Sequence, residues 1–196
     1  MLALIPEPGA PPQRNEPESE APAPQPVSFG KLGIVLFLGS ETMFFFAIIG
    51  AWVTLVSSKP AAIRVAATAL LPQAIPIGLS LVLLAIGSIA CYAFRKDPKK
   101  AAWVMGISGI AFISWRMAIL IQIGEAGHSI KQAVALAIFF LITGIHLIHV
   151  LFGTIAAFVR AAGVESKKLE ALSPFWVHGT LLGAITYAII FLTMGA

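Results

Sequence analysis

The stretch KQAVALAIFFLITGIHLIHVLFGTIAAFV, from Lys131 to Val159, governs how the rest of the chain is read. After Lys131 it contains no Lys, Arg, Asp or Glu, and its only ionisable side chains are His146 and His149. A helix rises about 1.5 Å per residue, so a run of this length crosses the hydrocarbon of a bilayer, which needs roughly 20 residues. The composition agrees with a membrane chain. Of 196 residues, 58% are apolar and only 11% are charged, and the mean hydropathy is +0.91. Such a balance excludes a disordered protein, a soluble enzyme with a charged surface and a nucleic-acid binder with a solvated basic face.

Four further apolar runs lie around that stretch: about Phe29 to Ser57, Ala67 to Phe94, Ala101 to Gly124 and Pro174 to Ala196. The breaks between runs hold charges, Pro or Gly: Lys59-Pro60, Arg95 to Lys100, Gly124 to Lys131 and Arg160 to Glu170. Pro72 and Pro76, near the start of the second run, open or kink its helix. The expected fold is all-α, a polytopic membrane protein with five transmembrane helices in one bundle over residues 29–196. Residues 1–28 carry eight of the thirteen prolines together with Glu, Ala and Gln. They have nothing to bury and are expected to form a disordered cytoplasmic tail.

The net charge of +4 is unevenly spread. Lys and Arg accumulate on the cytoplasmic side of membrane proteins. With the N-terminus inside, the inner side receives Arg14, Lys31, Arg95, Lys96, Lys99, Lys100, Arg160, Lys167 and Lys168, and the outer side only Lys59, Arg64 and Lys131. The C-terminus then lies outside. The basic pI of about 9.5 reflects these loops and implies no nucleic-acid partner. Cys91 is the single cysteine, so an internal disulfide and a Cys-rich metal site are excluded. The N-terminus lacks the basic start of a secretory signal, and Pro6 breaks its short apolar opening.

Ionisable side chains inside spans are costly and therefore mark candidate sites. Glu41 lies about ten residues from the inner end of the first span, on the order of 15 Å deep. His149 lies at a similar depth in the fourth span, so the two side chains could meet. Two readings stay open for them, a hydrogen-bonded pair that fixes packing and a proton-handling pair. His146 and His149 are three apart and share a helix face. Paired His can bind metal, but the spans offer only Glu41 and His178 as further ligands and no Asp, so no metal site is expected. Arg116, deep in the third span, is expected to snorkel toward the outer face, with a lipid headgroup or partner subunit as the functional alternative. Gln122 and Glu125 follow at the outer end of that span, as a helix cap or a partner contact. Gly179 and Gly183 form a Gly-x-x-x-Gly step that lets two helices approach closely. No phosphate-binding loop, nucleophilic triad or redox Cys pair is present, so no independent active site is expected.

Two stretches carry a resemblance. Phe37-Leu38-Gly39-Ser40-Glu41-Thr42-Met43-Phe44-Phe45-Phe46 resembles a Ser-Glu-x-Met/Phe-Phe-Phe stretch of subunit III of the haem-copper respiratory oxidases. Thr143-Gly144-Ile145-His146-Leu147-Ile148-His149-Val150-Leu151-Phe152-Gly153 resembles that family's Thr-Gly-x-His-x-x-His-Val-x-x-Gly helix. Gln122-Ile123-Gly124-Glu125 is similar to its Gln-x-x-Glu. The resemblance runs from about 29 to 160 and implies a five-helix form of a family whose longer members have seven. It departs in the last helix, where Phe175-Trp176-Val177-His178 stands in place of Trp-His-x-x-Asp. Trp176 and His178 are therefore expected at a lipid or partner contact, and an outlying branch beside nitric oxide reductases is the alternative. The resemblance implies a non-catalytic subunit in a bacterial-type inner membrane, holding no haem or copper itself. Those cofactors are expected in the partner subunit I. Bound phospholipid, oxygen access and sustained proton uptake are the expected roles, with Glu41, His146 and His149 as the buried polar group. A small transporter and a membrane metalloenzyme are the rival readings.

Overall fold

The structure, a computed structural model, describes residues 29–163 and 172–194. The Pro- and Glu-rich tail, the segment with Lys167 and Lys168, and the last two residues lie outside the described residues. The elements are α1 (Phe29–Ser58), α2 (Pro60–Leu70), a 3-10 turn (Leu71–Gln73), α3 (Ala74–Ala93), α4 (Pro98–Glu125), α5 (Val134–Ala161) and α6 (Leu172–Met194). The described residues are all-helical in their regular structure, and five segments are long and apolar enough to cross a membrane.

The second span differs from its expected bounds. It starts at Pro60, not near Ala67, and α2 and α3 together form one apolar segment of 34 residues. A single residue, Lys59, separates α1 from α2. Pro60 suits the first helical turn because its missing N–H has no intrahelical acceptor there. Pro72 cannot donate back to Thr68, and the chain tightens into the 3-10 turn at that point. Pro76 falls in the first turn of α3, where no donor is needed. Its carbonyl accepts the Trp115 indole N–H at 2.9 Å, tying α3 to α4.

The third span also starts early, at Pro98. Asp97 caps it, its side chain accepting from the Lys100 backbone N–H at 3.1 Å. That N–H, with the Lys100 ammonium 3.2 Å away, holds the Asp97 carboxyl below its ordinary range.

In the bundle α4 packs between α3 and α5, and α6 closes against α1, α3 and α5. Two apolar clusters form. One gathers Trp52, Leu70, Ile77, Phe139 and Tyr187. The other gathers Leu84, Met105, Phe112, Val150 and Trp176. Glycines set the close approaches. A Cβ on Gly106 would strike the Phe158 ring, and one on Gly109 would meet Thr154 and the Trp176 ring at 2.8 Å. Gly50, in contrast, has nothing within 4 Å. Apolar side chains such as Met43, Ile75 and Leu192 cover the outside, as lipid-facing surfaces require.

Gly109→Ala is expected to destabilise the detergent-solubilised bundle by about 1–3 kcal/mol through overpacking. Gly50→Ala is expected to be neutral. Unfolding midpoints of the two variants, measured in the same detergent, check the contrast.

Candidate functional site

Three helices converge on Glu41. It projects from α1 and is 8% exposed, in a bundle whose interior is mostly apolar. From α5, His149 places Nδ1 at 2.7 Å from Glu41 Oε1. From α6, His178 places Nε2 at 3.5 Å from Glu41 Oε2 and at 3.5 Å from Thr42 Oγ1. The Thr42 hydroxyl donates to the Leu38 carbonyl at 2.7 Å.

The partners dictate where the protons sit. His149 Nε2 lies 3.1 Å from the Phe175 carbonyl, which can only accept, so Nε2 carries a proton and donates. Nδ1 then faces Glu41 with one proton between them. Either the carboxyl is neutral and donates to a neutral imidazole, or the carboxylate accepts from an imidazolium. The pair is electroneutral in both cases, which is how an apolar interior tolerates two ionisable groups. The His149 ring is also stacked on Phe175, with centroids 4.0 Å apart and planes within 7°. Phe37 is also stacked with Phe175, with centroids 6.1 Å apart.

His146 lies one turn away on the same face and makes a separate contact. Its Nε2 donates to the Gly179 carbonyl at 3.0 Å, while Nδ1 has no hydrogen-bond partner among the described residues. Phe112 meets it edge-on at 5.4 Å. The two histidines thus bind different groups and do not converge on a common centre. Among the described residues, no three His, Cys, Asp or Glu side chains are grouped to hold a metal ion.

The two histidines explain the Gly-x-x-x-Gly step. A Cβ on Gly179 would lie 2.6 Å from His149 Nε2, and one on Gly183 would collide with the His146 ring. Glycines spaced by four on α6 receive imidazoles spaced by three on α5. Each imidazole occupies volume that a side chain on α6 would otherwise fill.

Arg116 corrects the sequence expectation. It does not snorkel: it is 1% exposed, with its guanidinium 4.0 Å above the centre of the Tyr187 ring and 5.6 Å from that of Phe112. Helical phase decides this, not depth. Arg116 shares the α4 face of Gly109, Phe112, Ile119 and Ile123, which all turn into the bundle. Its three guanidinium nitrogens have no hydrogen-bond partner among the described residues, so the aromatic faces provide its stabilisation. Tyr187 is held in turn by Thr143, oxygen to oxygen at 3.0 Å.

Trp176 is a second correction. Expected at a lipid or partner contact, it is 3% exposed, and its indole N–H donates to the Leu84 carbonyl at 3.2 Å. It fills the space left by Gly87, Gly109 and Gly153, which a side chain would close. Its neighbour two residues on, His178, turns instead toward Glu41. Gln122 and Glu125 are exposed at the end of α4 and are not brought to the cluster. Sequence reasoning missed Thr42, Tyr187 and the carbonyls of Phe175 and Gly179. Only the matched spacing of the His and Gly pairs could have pointed to the carbonyls.

A family model described as cytochrome c oxidase subunit III matches residues 24–173. The match takes in α1 to α5 with Glu41, Arg116, His146 and His149, and stops as α6 begins, before Trp176 and His178. No curated protein matches the chain.

Gly183→Ala is expected to displace His146 and cost about 1–3 kcal/mol, as overpacking of a filled core does. Arg116→Met is expected to be neutral or stabilising, because it removes a buried charge that has no hydrogen-bond partner among the described residues. Detergent unfolding midpoints of both variants test these signs.

Proposed function

This chain belongs to the cytochrome c oxidase subunit III family, and from that membership we propose that it is the non-catalytic membrane subunit of a haem-copper terminal oxidase. Membership carries association with other oxidase subunits. In this reading the partner is subunit I, which holds the haem and copper and reduces oxygen to water with coupled proton translocation. The present chain supports that chemistry by binding phospholipid, easing oxygen access and sustaining proton uptake. The single observation behind the reading is that the family match takes in four of the five spans, α1 to α5, with Glu41 and His149 among its residues.

Arg95 and Arg160 line one cavity at one end of the bundle, beside Lys96, Lys99 and Lys100. This clustering supports a cytoplasmic position for that end and an N-terminus inside, in what we take to be a bacterial-type inner membrane. The Glu41–His149 pair supports a role in proton supply, because a buried carboxyl and imidazole in direct contact can each take up or release a proton. A second reading is a subunit III-like partner of a nitric oxide reductase. It is favoured by one observation, that the family match stops where α6 begins.

Gentle solubilisation and capture of a tagged chain tests the assignment. An optical spectrum with haem, together with copper and a large many-span partner, is the expected result. Non-haem iron without copper would move the chain to the reductase reading. A colourless chain recovered alone, with transport activity in liposomes, would overturn both. Glu41→Gln is expected to leave assembly intact and to reduce the number of turnovers completed before the complex inactivates. An unchanged turnover lifetime would leave Glu41 a packing role only.

A further inference from the structure

The Glu41 carboxyl has two oxygens in different surroundings. Oε1 is taken by His149, whose side chain is 3% exposed. Both nitrogens of that ring are engaged, Nδ1 with Glu41 and Nε2 with the Phe175 carbonyl, and its face is stacked on Phe175. A proton cannot pass through this imidazole to the outside, because the far nitrogen ends on a backbone carbonyl that only accepts. His149 is a closed end. Oε2 faces the other imidazole. The His178 side chain is 22% exposed, against 6% for Glu41. It lies six residues from the start of α6, about 9 Å along the helix axis.

We propose that His178 is the residue through which Glu41 exchanges its proton with the surroundings of the bundle. The inference rests on the reading of Glu41 as a proton-handling group. Thr42 supplies the positioning. Its hydroxyl proton is committed to Leu38, so Oγ1 presents lone pairs, and His178 Nε2 stands 3.5 Å from both that oxygen and Glu41 Oε2. A nitrogen facing two acceptors is the protonated one. A small turn of the ring brings Nε2 from 3.5 Å into the range of about 2.6–3.2 Å over which protons pass.

The step balances as a simple relay. Water or a buffer acid gives a proton to Nδ1, forming the imidazolium. Nε2 then gives its proton to Glu41 Oε2 while the proton shared with Oε1 settles on His149 Nδ1, so the positive charge passes from His178 to the Glu41–His149 pair and a neutral His178 ring protonated at Nδ1 remains. Loss of the Nδ1 proton and regain at Nε2 resets the ring, and the reverse sequence releases a proton from Glu41. The titratable side chains facing Glu41 are His149 from α5 and His178 from α6. His146, one turn further on, is tied to Gly179 and faces Arg116 through the shared Phe112 and Tyr187 rings.

The test uses the purified complex and counts turnovers before inactivation as a function of pH. Native protein, Glu41→Gln, His178→Ala, His178→Gln and the double variant Glu41→Gln with His178→Ala are compared, each with and without added imidazole. The expected result is that His178→Ala falls to the Glu41→Gln lifetime and recovers toward native with imidazole, more so as imidazole concentration rises. His178→Gln, which keeps the size and the hydrogen bonding but carries no proton, assembles and stays short-lived. Imidazole does not rescue Glu41→Gln or the double variant. A short Glu41→Gln lifetime beside a native lifetime for both His178 variants would overturn the relay and leave the proton role of Glu41 standing. A His178→Gln complex with native lifetime, or a short-lived His178→Ala that imidazole cannot restore, would reduce His178 to a structural contact. A native lifetime for Glu41→Gln would remove the underlying reading and the relay with it.

Discussion

Placing a carboxyl and an imidazole 2.7 Å apart inside an apolar bundle constrains everything around them. Each group alone would carry a heavy desolvation cost, and together they are tolerable because one proton between them keeps the pair neutral. The imidazole must then be held by its other nitrogen, and the Phe175 carbonyl on α6 does this. Reaching that carbonyl requires α6 to lie within a ring's width of α5, which only a residue without a Cβ permits at Gly179. The second histidine repeats the solution one turn away, with Gly183 and the Gly179 carbonyl. One buried pair thus accounts for the glycine spacing, the seating of α6 and the stacked Phe175 layer.

Arg116 forms the opposite pole of the same interior. It cannot shed its proton, and the described chain gives it no hydrogen-bond acceptor. Tyr187 and Phe112 supply their ring faces instead, and the same two rings border His146. The ionisable groups therefore do not lie scattered through the spans. The buried ones gather along the face of α5 that meets α1, α4 and α6. The family match covers α1 to α5, where Glu41 and His149 lie. Helix α6, outside the match beyond its first residues, contributes His178, so the side of Glu41 that opens outward is built by a helix that lies largely beyond the match.

Much of this architecture was legible in the residues. The number of spans, their approximate places and the membrane environment follow from runs of apolar residues long enough to cross a bilayer, because hydrocarbon admits no unpaired backbone and leaves the helix as the available form. Similar depth on two helices also made a Glu41–His149 contact conceivable. Span boundaries were less legible. Pro60 and Pro98 begin helices where charge and Pro had been read as a break, since the first turn of a helix has no use for a proline's missing donor.

What the tertiary structure alone decided is rotational. Depth along a helix follows from counting residues, but the direction a side chain faces depends on how each helix is turned against its neighbours. Depth alone leaves Arg116 free to snorkel outward, and nothing in the residues around Trp176 sets its direction; packing turns both inward. His178 lies beyond the family match, yet α6 is turned so that its ring reaches Glu41. The sequence by itself determined a five-span membrane bundle with a few costly polar groups, because transfer into hydrocarbon depends on composition and length. Which of those groups share a proton was decided only when α1, α5 and α6 packed, because hydrogen bonds form over about 3 Å and require a direction as well as a depth.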